Sequence, residues 1–274
     1  MVMATPGLDP KEQAKVDASL GRIKNRLLVF SGKGGVGKTS VAVNIAAGLA
    51  QQGRKVGILD VDIHGPNVAR MLGADQGRMT VGEDGRIVPV EVAGGIKLVS
   101  IALLMEDADA PVVWRGPLKM RVITQFVADV DWGDLDWLVI DSPPGTGDEP
   151  LSVAQLIPAT AAVIVTTPQG VALMDTRKAV NFAQMLKLKV LGVVENMSGF
   201  NCPHCGKPID IFKQEGGAKM AREMLVPVLG KVPLDPRMVD ASDDGKPFIL
   251  AYPESEAGKA LAEVVARVAE SEAK

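Results

Sequence analysis

Ser31-Gly32-Lys33-Gly34-Gly35-Val36-Gly37-Lys38-Thr39-Ser40 is the stretch on which the fold turns. An apolar run, Leu27-Leu28-Val29-Phe30, leads into it, and a helical pattern from Val41 to Ala50 leads out. Strand, glycine-rich loop and helix together make the string G-x-x-x-x-G-K-[ST] a phosphate-binding loop. Its glycines let backbone N–H groups curl around an anion, and the helix start adds partial positive charge. In that reading Lys38 reaches the β- and γ-phosphates and the Thr39 hydroxyl holds Mg²⁺. Lys33, at the start of the loop, is not required by the pattern.

Outward from this loop the chain repeats strand and helix. Lys55–Leu59 reads as a strand that ends in Asp60-Val61-Asp62-Ile63-His64-Gly65-Pro66-Asn67, followed by a short helix to Leu72. Trp137–Asp141, Ala161–Thr166 and Val190–Glu195 are apolar throughout, which suits a parallel sheet covered on both faces. A helix is expected around Leu173 to Leu186, another over Gly216 to Leu225, a short strand at Val228–Lys231 and a last helix from about Glu254 to Ala269. Two segments break the rhythm. Met79–Val81 and Ile87–Val90 flank Gly82-Glu83-Asp84-Gly85 and predict a hairpin on the rim of the sheet. Asn196 to Phe212 carries Cys202-Pro203-His204-Cys205-Gly206. The expected fold is α/β: a P-loop NTPase with a mostly parallel central sheet and helices on both faces, in a single domain. Residues 25–274 form that domain, after an N-terminal helical extension over 1–24 in which Asp9-Pro10 starts a helix.

Acidic residues just past the carboxyl ends of strands sit where open α/β sheets bind ligands. Asp141 therefore reads as the carboxylate of the Mg²⁺ shell, with Asp60 as a second candidate. Asp62 reads as the residue that positions the attacking water. Lys33, Lys38 and Asp62 form the expected catalytic set.

The 274 residues contain only two cysteines, and these fall three apart. Three chemistries compete for them. A redox disulfide wants its first sulfur at a helix N-terminus, and Gly206-Lys207-Pro208 is a poor helix start. Structural zinc wants four ligands, and here two sulfurs share a tight knuckle with His204. A [4Fe–4S] cluster wants four thiolates, so two chains must meet. Both metal readings ask for a homodimer.

Bulk properties narrow the partners. A net charge of −3 supplies no general attraction to nucleic acid or anionic lipid, and 4% aromatic residues leave little for base stacking. No apolar run approaches the about 20 residues of a membrane span. No apolar core of a signal peptide precedes Ala14, so a cytoplasmic protein without membrane or nucleic-acid partners is expected.

The order of these motifs resembles the Mrp/ApbC family of iron–sulfur cluster carriers. That family belongs to the deviant Walker A ATPases, with MinD/ParA proteins and the nitrogenase iron protein. The resemblance runs from about Arg26 to Gly258. It rests on Lys33 to Thr39, Asp60 to Asn67, Trp114 to Pro117, Ile140 to Asp148, Thr167 to Gln169, Glu195 to Ser198, the cysteine knuckle and Val232 to Pro247. It implies a homodimeric, slow ATPase that holds a [4Fe–4S] cluster between subunits, takes it from donor proteins and passes it to apo iron–sulfur proteins. On matching positions, Gly32, Lys33, Gly34, Gly35, Val36, Gly37, Lys38, Thr39 and Ser40 contact ATP, with Lys33 reaching the nucleotide of the partner subunit. Asn196, Pro233, Leu234 and Asp235 flank adenine. Thr39, Asp60 and Asp141 serve Mg²⁺, and Cys202 and Cys205 ligate the cluster. The cysteine-rich N-terminal motif of eukaryotic relatives is absent, and only about 24 residues precede the first strand. Two other readings remain: a MinD/ParA-like ATPase of spatial organisation, and a scaffold with structural zinc at the knuckle.

Overall fold

Runs without polar alternation become strands buried on both faces. The computed structural model describes residues 8–105, 116–202 and 204–272. Asp9 accepts hydrogen bonds from the backbone N–H groups of Lys11 and Glu12 and caps α1 (Pro10–Leu20). β1 (Ile23–Phe30) follows and starts four residues before the apolar run that announces it. α2 (Lys38–Gln51), β2 (Val56–Asp60) and α3 (Val68–Met71) come next.

The rim insertion is a small hairpin, β3 (Thr80–Val81) against β4 (Ile87–Val88). Val90 does not extend that arm. It opens β5 (Val90–Val92), which pairs antiparallel with β6 (Ile96–Ser100) in the main sheet. Trp114 and Arg115 lie outside the described residues, and α4 (Gly116–Ala128) begins directly after them. β7 (Leu135–Asp141), α5 (Asp148–Leu156), β8 (Ala161–Thr166), α6 (Gly170–Met185) and β9 (Val190–Asn196) complete the alternation. The cysteine segment contains β10 (Phe200–Asn201) and β11 (Pro208–Ile209), an antiparallel pair. α7 (Gly216–Glu223), β12 (Val228–Val232), α8 (Arg237–Asp243), α9 (Phe248–Ala251) and α10 (Glu256–Ala269) close the chain.

The main sheet has the order β12-β9-β8-β1-β7-β2-β6-β5, and every neighbouring pair except β5 with β6 is parallel. Successive side chains of a strand point to opposite faces. Leu27 and Val29 accordingly join the core under α2 and α10, with Val41, Ile45, Leu261 and Val265. Leu28 and Phe30 join the other core, with Val16 of α1, Phe126 of α4, Val180 of α6 and Met220 of α7. The segment before β1 is therefore built into the domain: Val16 and Leu20 are buried.

Because the strands are parallel, their carboxyl ends share one edge, where open α/β sheets bind ligands. The phosphate loop leaves β1 there, between β7 and β8. The register places Asp60 of β2 directly beside Asp141 of β7, and Asp141 beside Val29 of β1. The loop after β9 and the loop after β12 open onto the same edge.

Candidate functional site

The phosphate loop is held from below. The Ser31 hydroxyl donates to the Lys33 carbonyl (2.9 Å), and the Gly145 N–H donates to the Ser31 carbonyl (2.8 Å). Gly35 (φ +78°) and Gly37 (φ +84°) are left-handed, a conformation that glycine adopts without steric cost. Gly37 is the N-cap of α2 and offers no side chain to its first N–H groups. Those donors are free to face an anion in the loop.

Lys38 is 6% exposed and reaches two of the acids named from sequence. Its Nζ lies 2.6 Å from Asp141 Oδ1 and 3.3 Å from Asp62 Oδ2. The Thr39 hydroxyl donates to Asp141 Oδ2 at 2.6 Å. Asp60 is fully buried and turned elsewhere: it accepts from the Ser100 hydroxyl (2.9 Å) and from the backbone N–H groups of Asp62 (3.2 Å) and Val68 (3.4 Å). Burial, reinforced by the neighbouring Asp141 carboxylate, pushes Asp60 up to about 8. Burial also raises Asp141, against the pull of Lys38 and Thr39. The Thr39 hydroxyl and the Asp141 carboxylate are hard oxygen donors set side by side, the donor type that suits Mg²⁺. Lys33 is exposed, and among the described residues its ammonium has no hydrogen-bonding or ionic partner.

A cavity of about 300 Å³ adjoins the loop, lined by Gly37, Ser40, Asn196, Leu234, Asp235 and Met238 among others. The structure thus brings the four residues expected around a base, Asn196 and Pro233 to Asp235, to one wall beside the phosphate cradle. Asn196 Nδ2 donates to the Val36 carbonyl (2.9 Å). A Cβ on Gly37 would lie 2.1 Å from that same nitrogen, so the close approach requires glycine. α8 contributes Met238, Val239 and Ser242, which sequence reasoning passed over. Pro236 is the N-cap of that helix.

The cysteines stand at the tip of the β10–β11 hairpin. The Cys202 N–H donates to the Lys207 carbonyl (2.9 Å), and the Gly206 N–H donates to the Cys202 carbonyl (2.8 Å). Cys202 is half-buried and Cys205 exposed, both as free thiols. Backbone N–H groups of His204 and Cys205, and the Cys205 thiol, hold Cys202 below the usual thiol range. Stabilised thiolates are the form that ligates metal. Among the described residues no group of three or more His, Cys, Asp or Glu is placed to hold a metal ion. His64 is taken up elsewhere, 2.8 Å from Lys119 Nζ, and that ammonium also contacts Glu149 Oε1 at 2.5 Å. A second cavity, of about 500 Å³, opens beside Cys202 and shares Pro233, Leu234 and Asp235 with the first.

Known proteins resemble this chain over most of its length. An iron–sulfur cluster carrier protein of Saccharolobus solfataricus is 51% identical over 261 residues, which is 94% of this chain and 88% of the relative. A solved nucleotide-binding protein from Archaeoglobus fulgidus, in complex with ADP, is 38% identical with a TM-score of 0.76, over 85% of this chain and 91% of that one. The cell division ATPase MinD of Pyrococcus furiosus shares the fold at 24% identity and a TM-score of 0.67, covering 90% of this chain and 99% of its own. The family model of ParA type described as NUBPL iron-transfer P-loop NTPase matches residues 22–269. A match over nearly the whole chain, with the phosphate loop and the cysteine hairpin inside it, makes the protein a member of the NUBPL iron-transfer P-loop NTPase family.

Proposed function

We propose that the protein binds and hydrolyses ATP and carries a [4Fe–4S] cluster between two copies of the chain, delivering it to apo iron–sulfur proteins. The observation that carries this reading is the pair of free thiols, two and no more in the sequence, at the tip of a hairpin on the edge that also holds the phosphate loop. Four thiolates complete such a cluster, so a second chain supplies the other two. The name of the Saccharolobus relative supports the cargo, and the ADP complex of the Archaeoglobus relative supports the nucleotide.

In the hydrolytic site Lys38 neutralises phosphate charge, and Asp62, on the loop after β2, orients the attacking water. Asp141 and Thr39 would hold Mg²⁺, which would supply charge neutralisation to the phosphates. Asp60 orders the loop that carries Asp62 through its bonds to the Asp62 and Val68 N–H groups. Lys33 reaches the nucleotide of the partner subunit.

Anaerobic reconstitution with iron and sulfide tests the cargo. Roughly two irons per chain in a dimer is the expected result, because four thiolates hold four irons. Zinc without iron or sulfide on the purified protein overturns it. Phosphate release from ATP, lost in Lys38→Ala, tests the hydrolysis.

A further inference from the structure

β9 ends in two polar residues after an apolar run, Glu195 and Asn196, and both are buried. A carboxyl in a core is costly unless every oxygen is satisfied. The Glu195 carboxyl is satisfied by donors from both ends of one excursion of the chain. On the outgoing side the Ser198 hydroxyl donates to Oε1. On the returning side the Glu215 N–H donates to Oε1 (3.0 Å), and the Gly217 and Ala218 N–H groups donate to Oε2 (2.5 and 3.0 Å). Everything between these two stems is the segment that carries Cys202 and Cys205.

The neighbouring residue faces the nucleotide site. Asn196 donates to the Val36 carbonyl inside the phosphate loop. A second tie runs through the loop after β12: the Ser198 N–H donates to the Val232 carbonyl (2.9 Å), and the Leu234 N–H donates to the Gly199 carbonyl (2.8 Å). Pro233 to Asp235 then line both the cavity beside the phosphate loop and the cavity beside Cys202.

We propose that Glu195 is a positioning residue for the thiol pair, cross-bracing the stems of the cysteine hairpin so that nucleotide held at Asn196 and Pro233–Asp235 sets the geometry of Cys202 and Cys205. Capping of α7 alone would not require the Ser198 bond, nor would it tie the brace to Asn196. Filling the base cavity restrains Asn196 and the 233–235 loop, and Glu195 passes that restraint to the hairpin. The brace rests on the cluster-carrier reading of the cysteines, but its test does not need the cluster.

The test is alkylation of the reduced apo-protein by iodoacetamide, followed by mass spectrometry, with and without a non-hydrolysable ATP analogue and Mg²⁺. In the wild type the analogue slows alkylation of Cys202 about tenfold, a usual size for coupling between two sites. In Glu195→Gln, an amide placed against N–H donors, the analogue changes the rate by less than about twofold while its own affinity stays near wild type. A merely structural Glu195 would leave the nucleotide effect in place in the folded variant, and that result overturns the proposal. So does a wild type whose thiols ignore nucleotide. If Glu195→Gln does not fold, as judged by circular dichroism, Ser198→Ala takes its place. Its protection falls to about threefold, and undiminished protection there overturns the brace. Failure of the wild type to take up iron and sulfide would instead remove the cargo reading, and the alkylation result would still decide the coupling.

Discussion

Asp60 and Asp62 are two residues apart and do different work, because one ends a strand and the other has left it. Asp62 faces Lys38, and Asp62→Asn keeps its shape while removing the charge that orients the attacking water in the proposed mechanism. Its kcat is expected to fall about 100-fold with KM within about twofold, the pattern of a group acting in the transition state. A raised KM at unchanged kcat, in steady-state phosphate release, would assign Asp62 to binding instead. Asp60 answers to pH. Its folded value of about 8 lies above the ordinary 3.8, so the folded chain holds a proton that the unfolded chain releases. The stability tied to that proton is full below 3.8, declines as pH rises and is gone above about 8. Urea midpoints measured from pH 5 to pH 9 should therefore fall less in Asp60→Asn than in the wild type. Parallel profiles would contradict the buried, protonated carboxyl. The sequence named all three acids because each follows an apolar run. It did not separate Asp60 from Asp62, since the partner that turns Asp60 away is Ser100, forty residues on.

At the scale of elements, the junction of the phosphate loop with α2 is the least tolerant. Gly37→Ala places a Cβ 2.1 Å from Asn196 Nδ2 at a φ of +84°. The strain should cost about 1–3 kcal/mol, read as a lowered melting temperature, and weaken ATP binding by displacing Asn196. Unchanged melting and affinity would mean that Asn196 moves freely. The parallel strands were legible because each is a continuous apolar run, and α2 because Val41, Ile45 and Leu49 repeat at helical spacing. α8 was not, since Ala241 is its one buried apolar residue and periodicity had nothing to display. Val90, the first residue of β5, reads in the sequence as the end of the rim hairpin because it follows Ile87–Pro89 without a break. Only its pairing with β6 decides its sheet, and that pairing is tertiary. Lys119, which links His64 to Glu149, lies on α4 with no local motif to mark it. Leu261 of α10, buried in the core shared with α2, should cost about 2–5 kcal/mol when cut to alanine, measured by urea unfolding.

At the scale of the whole molecule, a cation stands unspent at the nucleotide edge among the described residues. Lys33 is exposed and unpartnered among the described residues, so its charge is available to an anion from outside the chain. Lys33→Ala should lower ATP hydrolysis about 1,000-fold, the low end of the scale for cations supplied in trans to phosphoryl transfer. A wild-type rate would remove the trans role. The family match covers residues 22–269 and so includes both the nucleotide edge and the hairpin. The two are built to different rules. The sheet and its helices share two continuous cores, in which every layer depends on its neighbours. The hairpin leaves and re-enters that body beside Glu195, with further ties through Ser198 and Gly199 to the loop after β12 and through Asn201 to Glu256 of α10. It is therefore a replaceable cassette. Evolution can lengthen it, shorten it or exchange its tip while the anchor and the sheet stay unaltered. One ancestral nucleotide switch could in this way be fitted with different cargo heads.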